Sequence, residues 1–447
     1  MRTTKLPPGP KLPSAIQMIG FWSRPLASME RARARYGKRF TIRLPATPPF
    51  VIHSEPEHLK EIFAAPPDVL HPGEGARLLE PIVGANSLIL LDEGPHLSQR
   101  KLLLPTMHGE RLAGLDGLVR EVTEREVEAW PTGEPVVTHD RLQDLTLEII
   151  LRAVFGLDPG ERFEALRDRL SELLAFGEQP LTLFGPPSER MEVLLNRGGP
   201  LAGFLDLRNE VDRLIFELVD ERRAEHEGRD DVLSLLLEAR HEDGSPMSAQ
   251  ELRDELMTLL VAGHETTATS LAWAFERLVR APEAMRRLVG EVDSGDDAYV
   301  TATIQETLRA RPVLPNTAPR LVVKPIEVGD WSYRPGVCLV ANGYLLHHDP
   351  DVYPDPYSFR PERFLDSPPG TYTWIPFGGG RRRCLGASFA LLEMRIVLSA
   401  ILSAYEVRPV AGRAEVARRR NITIRPGRGS RIATAARERA HPEPIAA

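Results

Sequence analysis

Phe377-Gly378-Gly379-Gly380-Arg381-Arg382-Arg383-Cys384-Leu385-Gly386 is the stretch on which the reading of this sequence turns. Its glycines let the backbone come close to a flat partner and take up left-handed angles closed to most residues. The three adjacent arginines and the nearby backbone amides favour the thiolate form of Cys384 over the thiol. Residues 385–398 are apolar at helical spacing, which puts the sulfur just before a helix N-terminus, where negative charge is further favoured. A thiolate so placed is suited to ligate a metal or to act as a nucleophile. The plainer alternative is a buried structural cysteine, against which the flanking arginines count.

Upstream lies the longest helical run, from Ser248 to about Arg280. Ser248 with Glu251 forms a capping box, and Pro282 closes the run. Leu252, Leu256, Leu259/Leu260, Gly263, Thr267, Leu271 and Phe275/Leu278 make a helical stripe, so the helix is expected to run through the core. Its middle, Ala262-Gly263-His264-Glu265-Thr266-Thr267, breaks local rules: the glycine alone costs roughly 1 kcal/mol relative to alanine. Threonine hydroxyls also compete for backbone carbonyls there. On the residues alone this is either a reactive centre or a tight helix crossing at Gly263 with Glu265 facing solvent.

Further helical patterns cover residues 112–130, 141–155, 163–176 and 201–227, with short strand candidates at 39–44, 50–53, 326–328 and 337–341. Prolines crowd residues 6–13, 45–49 and 310–369, where irregular chain is expected. The result is a mainly α protein with a minor β portion. The 447 residues are 42% hydrophobic, which excludes disorder for most of the chain. Two cysteines, Cys338 and Cys384, are too few for a disulfide framework or a zinc ribbon and fit a reducing compartment. Lys plus Arg number 56 against 63 Asp plus Glu, a net charge of −7, so nucleic-acid binding is not expected. The arginine-rich stretch from Arg413 to Arg439 reads as a solvated basic face or a contact for an acidic partner. No stretch near the ~20 apolar residues of a membrane span is evident, and no signal-peptide core precedes the prolines at 7–10. A soluble, cytoplasmic protein is the expectation.

The cysteine loop resembles the haem-binding loop of the cytochrome P450 family, F-x-x-G-x-R-x-C-x-G, with Phe377, Gly380, Arg382, Cys384 and Gly386 matching all five fixed positions. At background residue frequencies such a match arises by chance on the order of once in ten thousand chains of this length. Other family marks follow in order. His96-Leu97-Ser98-Gln99-Arg100 resembles the H-x-x-x-R of soluble bacterial members, and Ala262–Thr267 the oxygen-activating A-G-x-[DE]-T-T helix. Glu306-Thr307-Leu308-Arg309 resembles the E-x-x-R pair, and Phe359-Arg360-Pro361-Glu362-Arg363-Phe364 the P-E-R-F segment.

The resemblance implies the triangular, mainly helical P450 fold, with a small β-rich portion near the N-terminal half. It implies one haem domain over residues 1–447, an irregular proline-rich segment at 1–20, no membrane anchor and no fused reductase. Cys384 would be the axial ligand of the iron of haem b, with Phe377 and Gly386 beside it. His96, Arg100, Arg320 and Arg382 would meet the propionates, Gly263 would leave room for O2, and Glu265 with Thr266 would deliver protons. Glu306, Arg309 and Arg363 would form a buried structural triad. Electrons from NAD(P)H would arrive through a ferredoxin-type donor docked near Arg381 and Arg383.

The function so implied is insertion of one oxygen atom from O2 into a lipophilic small molecule, by hydroxylation or epoxidation. Alternatives are a same-fold enzyme performing coupling, isomerisation or dehydration, a non-catalytic haem-thiolate sensor or carrier, and a cysteine hydrolase. An acid–alcohol pair at Glu265–Thr266 is superfluous to the first two, and no spaced His/Asn set supports the third. The pocket is expected to be apolar and lined from residues 78–91, 176–184, 259–260, 313–317 and 422–423.

Overall fold

The computed structural model of the protein describes residues 5–107, 109–176, 202–224, 229–410, 412–420 and 422–437. Its axis is the helix Ala249–Leu278, 30 residues long, or about 45 Å at 1.5 Å per residue. Its start is fixed locally. Ser248 Oγ accepts from the Glu251 N–H at 3.1 Å, while the Glu251 carboxylate accepts from the Ser248 N–H at 2.8 Å. Leu252, Leu256, Leu260, Leu271 and Phe275 are all fully buried, as a helix threaded through a core requires.

Helices Thr138–Ala153, Ala202–Ala224, Ala298–Ala310 and Ala387–Ala404 pack around this axis, and Glu110–Glu128 lies across two of them. One apolar cluster runs through all of them, from Leu88 to Ile432. The sequence reading matches four of these long helices to within a few residues, ends Ala387–Ala404 too early and gives no range for Ala298–Ala310.

Helix Ala387–Ala404 corrects the expectation about membrane spans. Among the described residues it is one 18-residue helix with the length and mean hydropathy, 1.7, to cross a bilayer. Half of it is buried inside the protein, against Glu110–Glu128, Pro282–Ser294 and Ala298–Ala310.

The β structure is assembled from both ends of the chain rather than from the N-terminal half alone. The main sheet has five strands in the order Arg39–Ile42, Phe50–His53, Cys338–Ala341, Arg320–Val322 and Leu70–His71. Phe50–His53 pairs with Cys338–Ala341 in parallel, and the other neighbours are antiparallel. A second sheet joins Pro135–Val137, Arg431–Ala436 and Tyr405–Pro409. Two hairpins, Ile326–Val328 with Trp331–Tyr333 and Ala417–Arg420 with Thr423–Pro426, complete the set.

The N-terminal expectation also needs correction. Helix Ser14–Ser23 begins inside the segment read as irregular, and Pro13 sits at its N-cap. Residues 5–13 before it are irregular, and they are tied down: Thr41 donates its N–H to Pro8 O at 3.0 Å and its hydroxyl to Pro7 O at 2.7 Å.

Candidate active site

A cavity of about 520 Å³ lies between the middle of the long helix and the cysteine loop. On its floor the loop folds back on itself, with the Cys384 N–H donating to Phe377 O at 2.9 Å and the Arg383 N–H to Gly380 O at 3.1 Å. Gly378 and Gly380 hold φ of 68° and 64°, the left-handed region where a side chain is strained. Gly380 has a second reason to be glycine: a Cβ there would lie 2.3 Å from Phe63 O. Gly386 has neither reason. It lines the cavity, and a Cβ there would meet no protein atom within 4 Å.

Cys384 is exposed and opens onto the cavity, with Phe377 beside it. Its thiol is held above the ordinary value, because burial within the protein outweighs the Gly386 backbone and the positive charges of Arg100 and Arg383. The backbone amide and the arginines do act toward the thiolate, but through Arg383 and Arg100 rather than through three adjacent arginines. Arg381 is exposed, and Arg382 points elsewhere, pairing with Asp92 at 2.6 Å and donating to Leu88 O at 3.2 Å.

His96, Arg100 and Arg382 reach the cavity together. His96 is buried and neutral, its pKa pushed down to about 3 by burial and by Arg382 and Arg100. Arg100 donates to Arg383 O at 2.9 Å. Arg320 lies behind this group, its guanidinium 4.7 Å from the Phe63 ring centre and its nearest polar contact Thr317 Oγ1 at 3.5 Å. Burial lowers its pKa to about 10, and Arg382 adds to the effect.

On the roof, Ala262, Gly263, Glu265 and Thr266 all line the cavity. Thr266 donates its hydroxyl to Ala262 O at 2.6 Å. Gly263 also serves a helix crossing, since a Cβ there would lie 2.8 Å from Ile150 Cδ1. Glu265 does not face solvent. Its carboxylate accepts from Gln143 Nε2 at 2.6 Å, Arg420 Nη1 at 3.0 Å and Thr269 Oγ1 at 3.2 Å. His139 Nε2 stands 3.7 Å away, an ion-pair distance rather than a hydrogen bond.

Burial pushes the Glu265 carboxyl up, but His139, Arg420 and His264 overcome it and hold it below its ordinary range. His139 is raised in turn: burial pulls it down, and Asp140 and Glu265 more than compensate. Arg420 belongs to the hairpin Ala417–Arg420/Thr423–Pro426, which Trp273 ties to the long helix through Ile424 O at 2.8 Å. Sequence reasoning missed Gln143, His139 and Arg420. They lie more than a hundred residues from Glu265 and belong to no local pattern.

Away from the cavity, Glu306 and Arg309 are fully buried and joined twice, at 2.6 and 2.8 Å. Arg363 Nε reaches Glu306 Oε1 at 3.3 Å, and the Arg360 N–H reaches the same oxygen at 2.8 Å. Arg309 Nη1 also donates to His347 O and Pro356 O at 2.7 and 2.8 Å.

Of the expected pocket segments, Leu78, Ile82, Leu88, Ile89, Leu259, Val313, Leu314, Ile422 and Thr423 do line the cavity, whereas Leu260 is buried behind it. Most of the 176–184 segment lies outside the described residues.

The sequence model described as Cytochrome P450 matches residues 6–429. Cytochrome P450 135B1 of Mycobacterium tuberculosis is 37% identical over 436 residues, covering 96% of this chain and 91% of that protein. Cytochrome P450 137 of the same organism is 38% identical over 411 residues, covering 90% and 84%. Among solved structures, retinoic acid-bound cyanobacterial CYP120A1 superposes with a TM-score of 0.84 at 21% identity, covering 97% of this chain and all of that one. The haem domain of cytochrome P450DA gives 0.83 at 22% identity, covering 98% and 99%.

Proposed function

The chain belongs to the cytochrome P450 family, and from that premise we propose that it inserts one atom of O2 into a C–H or C=C bond of a lipophilic small molecule. A P450 carries haem, which when bound activates O2 under the electron push of an axial thiolate. The residues on the page suit that group. The cavity floor offers one sulfur and a glycine, Gly386, whose missing side chain no protein atom demands, and three cationic or hydrogen-bonding side chains stand at its edge.

In this reading Cys384 would hold the haem iron through its sulfur, as a thiolate. His96, Arg100, Arg320 and Arg382 hold the propionates of haem b. Arg320 has no acid partner among the described residues, and His96 is a neutral donor. Phe377 flanks the sulfur. Glu306, Arg309 and Arg363 support the loop from behind. The whole chain then forms one haem domain, in a cytoplasmic setting that two free cysteines fit.

Proton supply carries the monooxygenase reading, and it rests on one observation: Glu265, held by Gln143 and Arg420, and Thr266 both line the cavity roof. Glu265 and Thr266 Oγ1 would hold and hand on a proton at the roof of the cavity. Gly263 keeps the roof above the reacting centre free of a side chain. A ferredoxin-type donor, fed by NAD(P)H, docks near Arg381 and Arg383, both exposed beside the loop. The test is Thr266→Ala. Haem and substrate binding should be unchanged, while product formed per NAD(P)H falls at least about tenfold and hydrogen peroxide rises. Unchanged coupling would reject the role.

A further inference from the structure

One charge on the cavity wall has no part in the chemistry above. Arg208 sits on helix Ala202–Ala224, on the same face as Phe204 and Leu205, and all three line the cavity. Its Nε is buried and makes no hydrogen bond, and among the described residues no acid pairs with its guanidinium. Other arginines with an unbonded Nε are placed differently. Arg141 has Glu126 at 2.8 Å, Arg152 has Glu121 at 2.7 Å, and Arg419 lies 4.3 Å over the Phe21 ring. The cavity that Arg208 lines is largely apolar, with Leu78, Leu79, Ile82 and Leu259 among its lining residues.

Arg208 is half-buried, and the buried, unbonded Nε edge of its guanidinium on a cavity wall is a donor that a ligand can complete. The Nε–Nη edge of a guanidinium presents two parallel N–H groups, matched to the two oxygens of a carboxylate. We propose that Arg208 anchors the carboxylate of a lipophilic acid whose hydrocarbon body lies along the apolar wall. This assignment names a substrate class for the monooxygenase reading and rests on it.

The experiment is calorimetric titration of the haem-loaded protein with dodecanoic and hexadecanoic acids and with the matching primary alcohols. The acids should bind about tenfold or more tighter than the alcohols, the scale of a hydrogen bond between charged groups. Arg208→Gln should erase that preference and leave alcohol binding and thermal stability unchanged, and Arg208→Lys should retain part of it. Three results would overturn the assignment: no acid binding, acids and alcohols bound alike by the parent protein, or Arg208→Gln weakening both equally. The carbonyl spectrum of the reduced protein separates the two readings. A missing thiolate band defeats the haem-thiolate reading itself, whereas a normal band with no acid preference defeats only the role of Arg208.

Discussion

The Glu306–Arg309–Arg363 cluster and the cavity wall both put charge in the interior, and they treat it differently. In the cluster every charge is answered: Glu306 accepts from two arginines and a backbone amide, and Arg309 spends its remaining donors on carbonyls. The cavity wall is mixed: Glu265 and Arg382 are paired with Arg420 and Asp92, whereas His96 is neutral and Arg208 has no acid partner among the described residues. Behind the wall, Arg320 has a single long contact. Buried charges that are fully paired hold a fold in one arrangement, and those left open mark where the protein expects another molecule.

This contrast is open to attack. Breaking the closed cluster should have the largest effect: Glu306→Gln removes the one negative charge facing two arginines, at a cost of about 3–5 kcal/mol and with loss of haem incorporation. Thermal unfolding and haem content would report it, and a loss below about 1 kcal/mol would remove the distinction between the regions.

A smaller effect comes from acid, through histidines on both sides of the comparison. His96 and His347 are held down to about 3 and His264 to about 4, chiefly by burial. An unfolded histidine takes up its proton near 6.5, so below that pH the unfolded chain binds protons that the folded one refuses. Stability is complete above about 6.5 and falls as pH drops toward 4, by up to about 1.4 kcal/mol per pH unit for each histidine. Urea midpoints of the haem-free protein at a series of pH values would follow this, and a flat profile would count against buried neutral histidines.

The smallest effect sharpens the picture of the roof. In Gly263→Ala the helix gains about 1 kcal/mol of propensity, and the new methyl meets the flexible end of Ile150. The two offset, so stability should change by no more than about 1 kcal/mol in chemical denaturation. A larger loss would mean that Ile150 cannot move aside.

What the sequence revealed followed the distance between interacting groups along the chain. The capping box, the Glu306–Arg309 pair and the glycine-bounded cysteine loop all join residues within a few positions, so their spacing carries their geometry. Partners of Glu265 come from Thr138–Ala153 and from the hairpin at Arg420, and only tertiary packing brings them together. Strand Ala417–Arg420 reads Ala-Arg-Arg-Arg and has no apolar alternation to betray it. Pro13 was read as continuing an irregular segment when it precedes a helix. Which arginines bear on Cys384 is not legible from the sequence, because adjacency in sequence is not adjacency in space: Arg382 turns toward Asp92, while Arg100 from a distant helix acts on the sulfur together with Arg383.

The seating of Gly379 and Gly380 against Phe63 has a consequence for how the protein is born. Helix Pro56–Ala64 is synthesised well before the loop that must nestle against its backbone. The sulfur's cradle therefore cannot take shape on the nascent chain until that loop has followed it out, and long-range closures of this kind are slow. A ribosome stalled before residue 377 would carry most of the described helices and no seat for the prosthetic group, so its insertion has to wait for this closure.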